Sequence, residues 1–447
     1  MSHNDFIRTL TGIKDPNINF SQEISNDSKR KGLRCMVIKA TLTYQPECCT
    51  SCGTLFDEKV VKNGFLNTKI QFGKSPEAIP MWIDLKKQRF LCRHCNSSFL
   101  AESEIVNKYC ALSNHLKFMI FNDATKKRSE VDIAHDNCVS HSTVNRTIHQ
   151  TYDEKTLNLN WLPAAICMDE FKSTPDADGA MSFIYCDAEN GNIIDIVEDR
   201  RLGNLINYFR RFPRKTRCMV KHIVIDMYAP YMSLIQKMFP CAKIIIDKFH
   251  VVQLINNALN KTRIKIMNEQ SEHYNKFKNY WKLLLRFEEE LNYQTYFYSK
   301  CFGRKMNQTK IVAFLLSIDE ELAETYKIYQ KLLQAIRNRN FDLFESTVNE
   351  KIENCSSYMA KSLKTLKKYL PYVKSMMETN YTNGVIEGTI NQIKVIKRIA
   401  FGYRSFYHFK ARILMIHQYN QVRLLRQMKK RKLALKQKIN SKNQAAA

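Results

Sequence analysis

The chain has 447 residues, Lys+Arg 70 against Asp+Glu 43, and a formal net charge of +27 at pH 7. That length accommodates two or three domains with a sizeable core, and a charge so far from zero points to a polyanionic partner, with nucleic acid the first candidate and an anionic membrane surface the second. No stretch reaches the roughly 20 uninterrupted apolar residues of a membrane span, the opening MSHNDFIRTL lacks the basic start and apolar run of a secretion signal, and 14 scattered cysteines do not make a secreted disulfide framework; a soluble protein of a reducing cytoplasm is expected.

Residues 1–45 are polar and lack a clear period, so they read as an unanchored N-terminal arm. Residues 46–100 carry two C-x2-C pairs, Cys49/Cys52 and Cys92/Cys95, with strand-like TKIQF and KQRFLC between them. Four thiolates suit a tetrahedral Zn2+ with no open position, so a zinc ribbon with an enlarged hairpin and a structural role is expected. Cys48 and His94 lie beside these ligands as alternatives or bystanders.

Residues 101–155 read as helical. Within SEVDIAHDNCVSHSTVNRTIHQ, Ile133 and Ala134 fit the packed face of a first helix, Val139 a turn, Ser140 an N-cap, and Val144 and Ile148 the inner face of a second. The outward face then carries His141, Ser142, Asn145 and Arg146, which suit phosphates or base edges if the pair is a DNA-binding helix-turn-helix; an ordinary helical hairpin has the same apolar spacing.

From Ala164 to Phe249 short Ile/Val-rich runs follow: AAICMDEF, GAMSFIYCD and GNIIDIVED joined by turn signals, then KHIVIDMY and CAKIIIDKF alternating with helical stretches. They predict a mixed five-stranded α/β sheet, a meander followed by two crossovers. Residues 251–379, nearly free of Gly and Pro, predict long helices. A basic tail, 421–447, reads either as a solvated helix end or as a phosphate-binding arm.

Two acids close strands, Asp169 and Asp226, and Glu387 sits in the first turns of a helix whose Ile390, Ile393, Ile396 and Ile399 recur at helical spacing. Three such carboxylates suit two Mg2+ about 4 Å apart, the arrangement for in-line attack on a phosphodiester, with the Lys and Arg after Glu387 (Lys394, Lys397, Arg398, Arg404) holding the strand being cut. Asp247 also ends a strand and competes with Asp226; with His250 it alternatively shapes the site rim. Glu170, Asp187 and Asp195 read as surface or turn acids.

With these motifs in view, the chain resembles the DDE-type insertion-sequence transposases of the ISL-three family, through CTSCG, CRHC, DIAHDNCVSHSTVNR, MDEF, VIDMYAPY, DKFHV and NGVIEGTINQIKVIKRIAFGYRSF. The resemblance implies an α/β ribonuclease-H-like catalytic core (160–250 and 380–420) with a large α-helical insertion at 251–379. It also implies Asp169, Asp226 and Glu387 as catalytic triad, Mg2+ as cofactor with Mn2+ as substitute, hydrolysis at terminal inverted repeats, and attack of the freed 3′-hydroxyl on target DNA. Double-stranded DNA is then the partner, a homodimer or higher oligomer the working form, and the nucleoid of a bacterial cytoplasm the location. Trp281, inside the insertion, is either core or a ring that stacks on an unpaired base. Two rival readings are a transposase-derived DNA-binding regulator and a cellular nuclease with the same core.

Overall fold

A computed structural model describes residues 3–56, 59–75, 77–153, 157–350 and 354–420. The basic tail lies outside the described residues. Chain contacts divide the molecule into two units, residues 1–156 with 394–447, and residues 157–393.

The first unit opens with α1 (His3–Thr11), β1 (Ile18–Arg30), β2 (Leu33–Leu42), β3 (Val60–Lys74), β4 (Pro80–Cys92) and β5 (Ser98–Leu100). The strands form one sheet in the order β1-β2-β4-β3, with β5 on β4. The first 45 residues are therefore no unanchored arm, and this expectation is corrected. Their strand signal is weak in sequence because register shifts between Phe20/Ile24 and Ser25/Ser28 break the period of two. Once formed, β2 buries both faces: Ile38, Ala40 and Leu42 enter the main core, while Cys35 and Val37 pack on Trp82. Arg30 also ties β1 to Asp84 of β4 at 2.6 Å.

Three helices follow, α2 (Asn114–Ala124), α3 (Glu130–Asp136) and α4 (His141–Asp153). Ser113, Ser129 and Ser140 each accept a backbone N–H of the first turn that follows. Leu116, Ile120, Ile133, Ala134, Val144 and Ile148 form their common core, closed by Ala411 and Met415 from the helical residues 406–420. Arg412, almost fully buried, donates to the carbonyl of Arg128 at 2.8 Å. Residues 394–420, grouped with the catalytic core on sequence, thus belong to the first unit.

The second unit contains β6 (Ala165–Lys172), β7 (Met181–Asp187), β8 (Ile193–Val197), α5 (Leu202–Arg210), α6 (Arg214–Arg217), β9 (His222–Ile225), α7 (Ala229–Met238) and β10 (Lys243–Ile246). Its sheet runs β10-β9-β6-β7-β8. The β6-β7-β8 meander is antiparallel, and β9 and β10 join parallel through crossovers. This is the mixed five-stranded sheet that the Ile/Val runs predict.

The remainder is chiefly helical: α8 (Lys248–Glu269), α9 (Tyr274–Leu284), a small β11 (Phe297–Ser299) and β12 (Arg304–Met306) hairpin, α10 (Gln308–Ser317), α11 (Glu320–Arg337), α12 (Phe341–Asn349) and α13 (Ser357–Glu378). α13 returns the chain to the sheet by packing on β10 and α8. α14 (Gly384–Ile399) follows it.

Candidate active site and metal centre

Parallel pairing brings three acids to one end of the second sheet. Cys167 of β6 pairs with Val224 of β9, so Asp169 and Asp226 both lie two residues further on; Asp169 does not close its strand as expected, because β6 continues to Lys172 along β7 after its pairing with β9 has ended. Ile225 pairs with Ile246 of β10, so Asp226 and Asp247 both follow directly. The carboxyl ends of adjacent parallel strands are where open α/β sheets assemble sites, because the backbone there is fixed while the side chains leave the core.

Asp226, Asp247 and His250 form a group whose ligand atoms all lie within 4.8 Å of one another, with His250 Nε2 3.0 Å from Asp226 Oδ1. The hydrogen bond to Asp226 raises the His250 pKa above its ordinary value. Burial raises that of Asp247, and burial, aided by the neighbouring charges of Asp226 and Glu170, pushes Asp169 up to about 7. The donors gathered here are hard oxygens and an imidazole, a set that fits a divalent cation. Asp169 and Glu387 stand outside the 4.8 Å group.

The segment before α14 lies across these strand ends. Cys167 Sγ donates to the Thr382 carbonyl at 3.4 Å, and Tyr381 reaches Glu189 of the β7–β8 turn at 3.3 Å. Gly191, at φ +72°, leaves room in that turn for Val385: a Cβ there would meet Val385 Cγ1 at 2.5 Å. The Asn383 amide donates to Asp226 Oδ1 at 3.2 Å, and its backbone N–H donates to Asp247 Oδ1 at 3.3 Å. Its carbonyl accepts from Glu387 N at 3.0 Å, so the exposed Glu387 stands one turn above a residue bound to both aspartates. Sequence reasoning missed Asn383; the available signal was an amide one helical turn before the acid.

A cleft of about 310 Å³ opens beside the group, lined by Glu170, Asp226, His250, Gln253 and Asn257 among others. Glu170 is no surface acid: Tyr231 donates to it at 2.5 Å and Arg200 pairs with it. Asp195, expected at the surface or in a turn, is buried within β8 and accepts from Tyr208 at 2.6 Å, while Asp187 is a buried turn acid that accepts from Glu189 N at 2.9 Å. These acids fall in polar networks that periodicity does not reveal. Trp281 is half-buried on α9, with the Arg263 guanidinium 5.9 Å from its ring centre, and does not line the cleft.

In the first unit, Cys49, Cys52, Cys92 and Cys95 converge within 4.8 Å. Cys49 and Cys95 sulfurs are 3.7 Å apart, as are those of Cys52 and Cys92. A tetrahedron with Zn–S bonds of about 2.3 Å has edges of ~3.8 Å, so the cluster fits a structural zinc. The two knuckles share one shape: Cys49 N bonds to Thr54 O at 2.8 Å and Cys92 N to Ser97 O at 2.9 Å, with left-handed Gly53 and Asn96 after the second cysteines. Hydrogen bonds from the Thr54 side chain and backbone pull Cys52 down to about 5, favouring the thiolate a metal needs. Cys48 and His94 stay outside this group.

On α4, Ser142 and Arg146 are exposed, whereas His141 and Asn145 both turn to the buried Glu130, at 3.4 and 3.3 Å. Lys394, Arg398 and Arg404 are exposed; Lys397 lies 5.7 Å from the ring centre of Phe409.

The family model of the ISL-three DDE transposases, described as "Transposase", matches residues 166–413. This chain belongs to that family. Two curated relatives were found. An insertion sequence element IS1001 transposase from Bordetella parapertussis is 27% identical over 46% of this chain and 50% of its own length. A Lactococcus lactis subsp. lactis protein named "ATP-dependent protease" is 38% identical over 25% of this chain and 36% of its own. The chain thus spans about a third to a half of these relatives. No helix among the described residues is long and apolar enough to cross a membrane.

Proposed function

We propose that this protein is a DNA transposase that binds the terminal inverted repeats of its insertion sequence, cleaves there, and joins the 3′-hydroxyl ends to target DNA. Family membership supports the class of reaction, and one observation carries the assignment of the site: Asn383 hydrogen-bonds both Asp226 and Asp247 and accepts from Glu387 N, linking the helix of the third acid to the strand ends. The five-stranded sheet and its helical insertion form, in this reading, a ribonuclease-H-like core.

Asp169, Asp226 and Glu387 would hold two Mg2+, or Mn2+ in their place, with Asp247 and His250 completing the binding edge. When bound, the ions would activate the attacking hydroxyl and stabilise the leaving oxygen. Asp226 orients His250 through their hydrogen bond, Asn383 fixes the two aspartates relative to α14, and the buried carboxylates are pre-set to accept a cation rather than to remain ionised alone. The zinc module and the α3–α4 pair, read as a helix-turn-helix, would dock the element's ends, with Ser142 and Arg146 facing DNA and His141 and Asn145 released from Glu130 or acting through it. Lys394, Lys397, Arg398 and Arg404 would bind phosphates. Joining two ends calls for at least a dimer, and the substrate places the enzyme at the bacterial nucleoid.

The test is binding and cutting of labelled DNA carrying the gene's flanking ends. Wild type should nick at the ends in Mg2+, and Asp226→Asn should bind them without nicking. Undiminished nicking by Asp226→Asn would pass its role to Asp247, and wild-type binding without cutting would favour a regulator.

A further inference from the structure

Residues 292–298 are exposed without interruption, and four of them are aromatic: Tyr293 at 67%, Tyr296 at 48%, Phe297 at 38% and Tyr298 at 65%. Such rings normally seek a core or a partner. The segment that carries them is nonetheless tied down by hydrogen bonds. Asn307 Nδ2 donates to the Tyr293 carbonyl at 2.7 Å, Asn292 Oδ1 accepts from Thr295 N at 2.8 Å, and Tyr280 of α9 bonds Ser299 Oγ at 2.6 Å. A fixed scaffold therefore presents rings to solvent.

Along this stretch of chain the charge has one sign. From Leu291 to Lys310 the chain carries Lys300, Arg304, Lys305 and Lys310 and no acid. Lys305 pairs directly opposite Tyr298 across the β11–β12 ladder, so the two share a face, and the Lys310 ammonium lies 5.1 Å from the Tyr296 ring centre. The nearest acids in sequence, Glu288 to Glu290, precede the run, and Glu290 is paired with Arg337 at 2.9 Å.

We infer that the β11–β12 hairpin is a docking surface for single-stranded DNA, in which the tyrosines stack on unpaired bases and the lysines neutralise the adjoining phosphates. Rings supply sequence-tolerant stacking and the cations supply salt-dependent backbone affinity, the two components of single-strand recognition. The inference rests on the DNA-processing reading above and assigns to the helical insertion the strand that cleavage frees.

The test compares the full chain with a Tyr293→Ser/Tyr296→Ser/Tyr298→Ser variant, and with a Tyr→Trp version of the same three positions. Equilibrium binding is measured to a labelled single-stranded oligothymidylate and to duplex DNA carrying the element's ends. Expected is a loss of roughly tenfold or more in single-strand affinity for the serine variant, recovery in the tryptophan variant, and unchanged duplex binding. Equal single-strand affinity in wild type and serine variant overturns the inference while leaving the transposase reading intact. So does a change confined to oligomeric state, which would make the patch a protein contact. Absence of binding to either DNA by wild type overturns both.

Discussion

Asn383 joins Asp226 to the helix of Glu387: its amide donates to the aspartate at 3.2 Å while its carbonyl accepts from Glu387 N at 3.0 Å. Replacing it with alanine removes the amide donor and leaves Asp226 paired with His250 alone among these contacts. A lost hydrogen bond to a charged group costs about 1.5–3 kcal/mol, and a misplaced ligand costs about 10²-fold in rate. Asn383→Ala should therefore cut DNA about a hundredfold more slowly with nearly normal end binding. Wild-type cleavage by this variant would reduce Asn383 to a simple helix cap.

The Asp169 carboxyl, pushed up to about 7 by burial from an ordinary value of 3.8, makes a pH prediction. Between those values the folded protein retains a proton that the unfolded chain has released, so this group makes metal-free stability fall as pH rises. A bound divalent cation neutralises the ionised carboxylate and offsets that loss. The rise in melting temperature on adding Mg2+ should be small near about pH 5.5 and larger near about pH 8. An increment independent of pH would remove Asp169 from the metal site.

For the cysteine cluster, Cys92→Ser should release about one zinc per chain and lower the melting temperature of the first unit. Cys52 supplies an independent readout, being exposed and held near 5 by Thr54. Chelation should make it the first thiol to react with iodoacetamide, and zinc should protect it. Full zinc retention by the Cys92→Ser protein would dismiss the four-cysteine site.

Much of this architecture is legible in sequence because it rests on short-range patterns. Paired cysteines in tight turns, Ile133, Ala134, Val144 and Ile148 at helical spacing, and Ile/Val runs that become strands translate directly into local structure, with Asp226 and Asp247 following their strands. What sequence hides depends on register and long-range contact. The bulges of β1 erase its alternation, so an ordered edge strand reads as an arm. Glu170 and Asp195 look like surface acids until Tyr231 and Tyr208, distant in sequence, arrive beside them. Asn383 gains its meaning only when the chain returns from 136 residues beyond Asp247.

On the α4 face, Arg146 is exposed while His141 is engaged by Glu130. Arg146→Ala should weaken end binding by about 1–3 kcal/mol if it reads a base, or flatten the salt dependence by about one unit if it binds phosphate. His141→Ala should have the smaller effect, since its ring is already occupied. The reverse ranking, from binding isotherms at several salt concentrations, would show that the DNA-bound face differs from the one exposed here.

The most direct test of the central claim concerns Glu387, which is exposed and outside the 4.8 Å group of Asp226, Asp247 and His250. Cleavage of labelled DNA bearing the gene's own ends should be measured in Mg2+ for wild type and Glu387→Gln side by side. Cutting by wild type alone, with equal end binding by both, is the expected result. Equal cutting by both proteins would contradict the three-carboxylate site and leave catalysis to the aspartates and His250.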